Sequence, residues 1–250
     1  MIISIPEELK QIRIDVGLAG EAPNAALWLS ETTDRFVIGI EPLPYHWKMI
    51  NNFETSNSKR PYPDNFKILQ LEENVVKLNR QVICDVGNRF FPIEAAIDDV
   101  SKVEKKKFYM MDRTGGASGS SSLLEPSPHH PHFIEEEIEV AVHSLEHVLD
   151  SIDWDRFEYI EHIKTDCEGK DWDVVKSIGK YLDRVVFITS EMTNNLHHWH
   201  GSGDPRQFVE FMQKSGFGVL GVGNGEIVFF NLSLKHKVEE DNLDFNTLGL

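Results

Sequence analysis

The chain has 250 residues, 40% of them hydrophobic, which is enough for one substantial core and a single domain over residues 1–250. Its 41 acidic residues outweigh 25 basic ones for a net charge of −16, which repels a phosphate backbone and sets nucleic acid aside as a partner. No run approaches the roughly 20 apolar residues that span a bilayer, residues 1–10 are too short and too polar for a signal peptide, and Cys84 and Cys167 are too scattered for a disulfide framework.

These exclusions lead to the expectation of a cytoplasmic protein with no membrane partner, and they leave its oligomeric state open. In chain order, residues 12–16 form a short apolar run that ends in Asp15-Val16-Gly17 and passes through Leu18-Ala19 to Gly20. Residues 22–30 have helical composition, and residues 36–40 form a second apolar run that stops at Glu41. A buried strand entering a glycine turn, followed by a strand ending in a carboxylate, is how a doubly wound sheet holds a nucleoside. The glycines let backbone approach a ligand, and Glu41 can accept two hydrogen bonds from ribose hydroxyls.

The turn lacks the G-x-G-x-x-G of a dinucleotide site, and Asp15 beside it would repel a pyrophosphate. It suits instead a cofactor with a cationic amino-acid end, as S-adenosylmethionine has. Two other readings of these residues stay open. One is a nicotinamide-dependent oxidoreductase with a degenerate loop, and the other is a non-catalytic cofactor-binding module.

Helical pattern follows at 72–79, a buried strand at 91–97, and a basic run at 102–107 that reads as a solvated loop or strand edge. A Gly/Ser stretch and then three prolines and three histidines make residues 113–133 a loop insertion, either a surface excursion or a lid. Beyond it come a helix at 145–152, a strand at 160–165, a helix at 171–182 and a strand at 185–189. Repeated strand-helix-strand order implies a mostly parallel α/β sheet with helices on both faces. Asp204-Pro205 starts a helix that Ser215-Gly216 ends, and two β-rich runs around Gly223-Asn224-Gly225 read as an antiparallel C-terminal hairpin.

With Ile40-Glu41-Pro42, with Glu94-Ala95-Ala96-Ile97-Asp98 and Ser121-Ser122-Leu123, and above all with Ile163-Lys164-Thr165-Asp166-Cys167-Glu168-Gly169, the chain resembles the FkbM-type family of S-adenosylmethionine-dependent methyltransferases. The last segment looks like that family's K-x-D-x-E-G signature. The resemblance implies a class I methyltransferase sheet, Rossmann-like, with S-adenosyl-L-methionine as cofactor. It implies Asp15 and Gly17 around the methionine part, Glu41 on the ribose, Ala96 and Ile97 near the adenine, and Asp166 beside the methyl, with Gly20 a further cofactor-binding candidate in the same turn. The segment Leu18-Ala19-Gly20-Glu21 departs from the family's usual Asn and Gly after the first motif, and Leu145-Glu146 replaces its Leu-Asp pair.

Methyl transfer to a hydroxyl calls for a general base near the line of attack. Candidates on loops after the fourth and fifth buried strands are Asp166, Glu168, Glu191 and, among His197, His198 and His200, chiefly His198. No D/N-P-P-Y/F tetrapeptide follows the fourth strand, which favours O-methylation over N-methylation. The resemblance favours a sugar, glycan or other small polar acceptor, for which Ser121, Ser122, His200 and Trp199 are the candidate contacts. A metal site is a further reading of the histidine segment, whose spacing is not that of a helical metal pair, and Asp166 and Glu168, two apart, could also suggest a divalent ion; no metal is assigned, and whether one assists stays open.

Overall fold

The structure, a computed structural model, describes residues 3–20, 22–51, 83, 86–112, 117–191, 198–223 and 225–240. The helical pattern at 72–79, Cys84, residues 113–116, His197 and Asn224 lie outside the described residues. Seven strands form the main sheet: β1 (Gln11–Val16), β2 (Arg35–Ile40), β3 (Phe90–Ile93), β7 (Ile160–Thr165), β8 (Val185–Glu191), β9 (Phe217–Gly223) and β10 (Glu226–Asn231). Their order is β3-β2-β1-β7-β8-β10-β9, with the first five parallel and the last two an antiparallel hairpin. This mixed α/β architecture is consistent with a Rossmann-like fold.

The parallel strands form where the sequence is continuously apolar, because both faces are covered and no position needs to be polar. Every residue of β2 is buried, and so is every residue of β7, although β7 carries Glu161, His162 and Lys164. Each of these three is answered. Glu161 meets Arg13 at 2.5 Å and Arg35 at 3.3 Å, and His162 Nε2 lies 2.8 Å from the Thr189 hydroxyl. Burial, aided by Arg13, Lys164 and Arg35, lowers His162 well below the usual imidazole range, so it sits in the core uncharged.

Among the described residues the helices are α1 (Pro23–Glu31), α2 (Pro44–Asn51), α3 (Leu145–Leu149), α4 (Asp171–Lys176), α5 (Pro205–Lys214) and α6 (Lys235–Glu240), with Ile83 also helical. The predicted helix at 171–182 is interrupted. It leaves α-geometry after Lys176 and resumes as a 3-10 helix at Gly179–Arg184, where Gly179 takes φ +59 and the Glu146 carboxylate fills the space a side chain would need. The helix at α5 begins as expected, with the Asp204 side chain accepting the Arg206 N–H at 2.8 Å.

A second sheet was not anticipated. The apolar stretch at 91–97 is two strands, β3 and the short β4 (Ala96–Ile97), and β4 turns away to pair with β6 (Ile134–His143), which pairs with β5 (Glu104–Met111). The basic run is therefore a strand, and the acidic run opposite neutralises it. Lys105 meets Glu139 at 2.9 Å and Lys107 meets Glu137 at 2.7 Å. The described part of the 113–133 insertion spans the tip of this small sheet, through a 3-10 helix at Ala117–Ser120 and a bridge between Tyr109 and Ser122. Among the described residues no helix is long and apolar enough to cross a membrane.

Candidate functional site

The strand order reverses direction of travel between β1 and β7, and the carboxyl ends of two such strands frame the crevice in which open α/β sheets bind ligands. Gly17 leaves β1 at φ +84, and a Cβ there would stand 1.9 Å from the Asp166 carbonyl oxygen. Glycine is thus required twice, by backbone angle and by contact with the other strand end. The turn is fixed by Gly17 and Leu18 N–H groups donating to the Ile40 carbonyl at 3.0 and 3.2 Å.

Glu41 is 4% exposed and held from several sides. Its Oε2 accepts the Ala19 N–H and its Oε1 the Leu43 N–H, both at 2.9 Å, and His46 Nδ1 lies 3.1 Å from Oε1. A carboxylate has about four lone-pair sites, so these contacts fix its orientation and still leave capacity for hydroxyl donors. Ala19 pays for its amide contact with a left-handed backbone, φ 52.

Between these ends lies a cavity of about 250 Å³, lined by Gly17, Glu41, Ala96, Ile97, Asp166 and Glu168, with Ser121 and Phe108 on the side of the small sheet. Its size is near the lower end of small-molecule sites. The short β4 therefore has a functional position, carrying Ala96 and Ile97 to the cavity wall. Lys170 also lines it and binds Asp98 at 2.7 Å. Burial works against the Asp98 charge, but Lys170 and Lys106 overcome it and hold the carboxyl below its usual range.

The far wall is acidic. After Thr165 the chain runs through Asp166 and Cys167 to Glu168, which adopts φ 50, and its carbonyl accepts the Ser122 hydroxyl at 2.9 Å. One oxygen each of Asp166, Glu168 and Glu191 lies within 4.8 Å of the others. Burial first, and then the Asp166 charge, push Glu168 up to about 7, while hydrogen bonds from Trp199 and Ser120 pull it down. Burial and the charges of Asp166, Glu168 and Asp171 push Glu191 to about 9. Burial and Asp166 push Asp171 to about 7. Lys164 answers part of this charge at 3.1 Å from both Asp166 and Glu226; burial opposes its ammonium, but Asp166, Asp15 and Glu226 raise it above its ordinary range. The Cys167 thiol is raised well above its usual value by burial and by Asp171 and Asp166, which makes it a poor nucleophile.

The structure divides the sequence candidates. Gly17, Glu41, Ala96, Ile97, Ser121, Asp166 and Glu168 line one cavity. Asp15 does not: it is 1% exposed, and its Oδ2 accepts the Ala25 N–H at 3.0 Å, capping α1 where Ala22 has no side chain to do so. Gly20 is buried in the turn behind the cavity. Ser122 is 1% exposed and braces Glu168, and Glu191 opens on an adjoining small cavity with Asp171 and Trp172.

None of His198, Trp199 and His200 lines the cavity, although Trp199 reaches its wall through Glu168. Trp199 is 2% exposed, packed on Met111 with the His130 ring 4.5 Å away, and its side chain hydrogen-bonds the Glu168 carboxyl, so it backs the acidic wall. His198 stacks by its edge on His130 at 5.5 Å, and its carbonyl accepts the Ser127 N–H at 2.7 Å. His200 is exposed, and its N–H donates to the Glu125 carbonyl at 2.9 Å. The segment thus clasps the insertion to the strand ends.

Sequence reasoning missed Lys164, Lys170, His46 and Asp171. Lys164 lies in the quoted K-x-D-x-E-G segment, and its buried strand position was the available signal.

The family model for the Methyltransferase FkbM domain matches residues 20–218. The chain belongs to this family. The match includes Glu41, β4, the insertion, the acidic wall and the start of β9, whereas Asp15 and Gly17 lie just ahead of it. FkbM membership supports a methyltransferase-family role and, through the family's typical cofactor, S-adenosylmethionine. No curated protein and no solved structure matches the chain significantly.

Proposed function

We propose that the chain is an S-adenosylmethionine-dependent methyltransferase acting on a hydroxyl of a sugar, glycan or other small polar acceptor. The observation that carries the reading is the polarity of one cavity. Glu41 offers a fixed acceptor for ribose hydroxyls, Gly17 keeps the backbone clear beside the Asp166 carbonyl, and the Asp166 and Glu168 carboxyls in the same lining suit a cationic group. Ala96 and Ile97 add buried apolar surface to the same lining, suited to an adenine. A nicotinamide dinucleotide fits less well, because its pyrophosphate would face Asp166 and Glu168.

Bound there, S-adenosylmethionine supplies an activated methyl group, whose bond to the sulfonium breaks as the new bond to the acceptor oxygen forms. Glu168 is the group we assign to take the hydroxyl proton, because it lines the cavity and its backbone is pinned by Ser122. Asp166, fixed by Lys164, orients the cationic end. The wall of β5 and the insertion, through Phe108 and Ser121, narrows the opening and limits water. An acidic chain of net charge −16 suits a neutral, polar acceptor better than a nucleic acid.

The test is methyl transfer from labelled S-adenosylmethionine to a panel of sugars and glycosides, with Glu168→Gln beside the wild type. Transfer that falls about 100-fold or more in the variant, with S-adenosylhomocysteine binding retained, supports the reading. Thermal stabilisation by NAD and none by S-adenosylhomocysteine contradicts it.

A further inference from the structure

The acidic wall holds more carboxylates than a single proton acceptor needs. The ammonium that touches it, on Lys164, is divided between Asp166 and Glu226. The three oxygens of Asp166, Glu168 and Glu191, within 4.8 Å of one another, have the spacing of ligands around one hard cation, since oxygens on opposite sides of Ca²⁺ at about 2.4 Å stand about 4.8 Å apart and those around Mg²⁺ stand closer.

A second observation points the same way. Asp171 is 4% exposed, with Oδ1 accepting the Cys167 N–H at 3.2 Å and Oδ2 without a hydrogen-bond partner. It lines a side cavity of about 20 Å³ with Trp172 and Glu191, and Trp172 Nε1 and Glu191 Oε2 are also unsatisfied. That space has room for one water molecule, which could use all three groups and still present a lone pair to a cation.

We propose that Asp166, Glu168 and Glu191 form a site for a divalent cation of the oxygen-binding class, Mg²⁺, Mn²⁺ or Ca²⁺, with Asp171 holding one of its water ligands. The ligand set is all oxygen, as these hard ions prefer. Each carboxylate contributes one oxygen, so Glu168 keeps its second for a proton. Placed at the cavity wall, the cation polarises an acceptor hydroxyl and lowers its pKa, which reduces the basicity asked of Glu168. Only this role rests on the methyl-transfer reading; the site itself does not.

The experiment is calorimetric titration of chelator-treated full-length protein with manganese(II) chloride, and separately with S-adenosylhomocysteine, each in the presence and absence of the other. The expected result is one saturable Mn²⁺ site, weakened about 10- to 100-fold in Glu191→Gln and Asp166→Asn and unchanged in Glu158→Gln, which alters a surface pair with Lys237. Asp166 is 41% exposed in its side chain and Asp166→Asn is the variant that keeps the test sound if Glu191→Gln does not fold. S-adenosylhomocysteine binding without Mn²⁺ binding overturns the inference and spares the proposed function. Mn²⁺ that S-adenosylhomocysteine displaces also overturns it, because the carboxylates then serve the cofactor's cationic end. Mn²⁺ binding without S-adenosylhomocysteine binding supports the site and strikes the proposed function instead.

Discussion

The two walls of the cavity are built by opposite rules. On the β1 and β2 side, polar groups are matched: both Glu41 oxygens take backbone amides, and the Gly17 and Leu18 amides reach the Ile40 carbonyl. On the β7 and β8 side they are not, since Asp166, Glu168, Glu191 and Asp171 crowd together and three of the four are pushed toward or above neutrality. A satisfied wall costs nothing to keep in shape and gives a ligand fixed contacts. A wall of crowded acids, held partly protonated by burial and by their mutual repulsion, is stabilised when a positive species arrives, so its binding energy is reserved for the ligand.

The comparison breaks hardest at the point where the walls touch. Gly17→Ala drives a methyl into the Asp166 carbonyl at 1.9 Å and strains a φ of +84, so we expect a loss of about 4 kcal/mol or more, or no folded protein, by chemical denaturation. Glu41→Ala strips the matched wall, leaving the Ala19 and Leu43 amides without their carboxylate. Its expected cost is about 2 kcal/mol of stability on the same assay.

Asp15 tests a third kind of carboxylate, buried under the turn. Burial raises it to about 7, offset in part by Lys164 and the Ala25 N–H, against about 3.9 in an unfolded chain. The folded protein holds this proton more tightly, so the contribution to stability is complete below about pH 4 and is lost as the pH rises through about 7. Asp15→Asn keeps an acceptor for the Ala25 N–H and removes the titration. Its melting temperature should fall less than that of the wild type between about pH 5 and about pH 8. At the small end, Lys105→Ala breaks a pair with Glu139 in which both side chains are exposed, and its melting temperature should match the wild type.

Much of the satisfied wall was legible because it is local. An apolar run, a glycine and a carboxylate at the next strand end lie within about thirty residues, and buried parallel strands read as unbroken hydrophobic stretches. β7 was found at its observed bounds even with three polar residues, since their partners lie on neighbouring strands and leave its length intact. The small sheet was hidden because β5 and β6 carry runs of like charge near their starts, 105–107 and 135–137, and their pairing across the insertion sets the two runs against each other. For Trp199 the sequence shows a ring, and only the fold shows the His130 and Met111 packed on it and its bond to Glu168. Asp171 was invisible for a similar reason. An acid in the first turn of a helix is ordinary, and only the fold places it against Glu191.

The central claim is that this cavity binds S-adenosylmethionine through Glu41. Calorimetric titration with S-adenosylhomocysteine, on the wild type and on Glu41→Gln, tests it most directly. The account predicts saturable binding that weakens by about 1 kcal/mol or more in the variant, the worth of hydrogen bonds to a charged acceptor. No binding by folded wild-type protein, or equal binding by both, would contradict it.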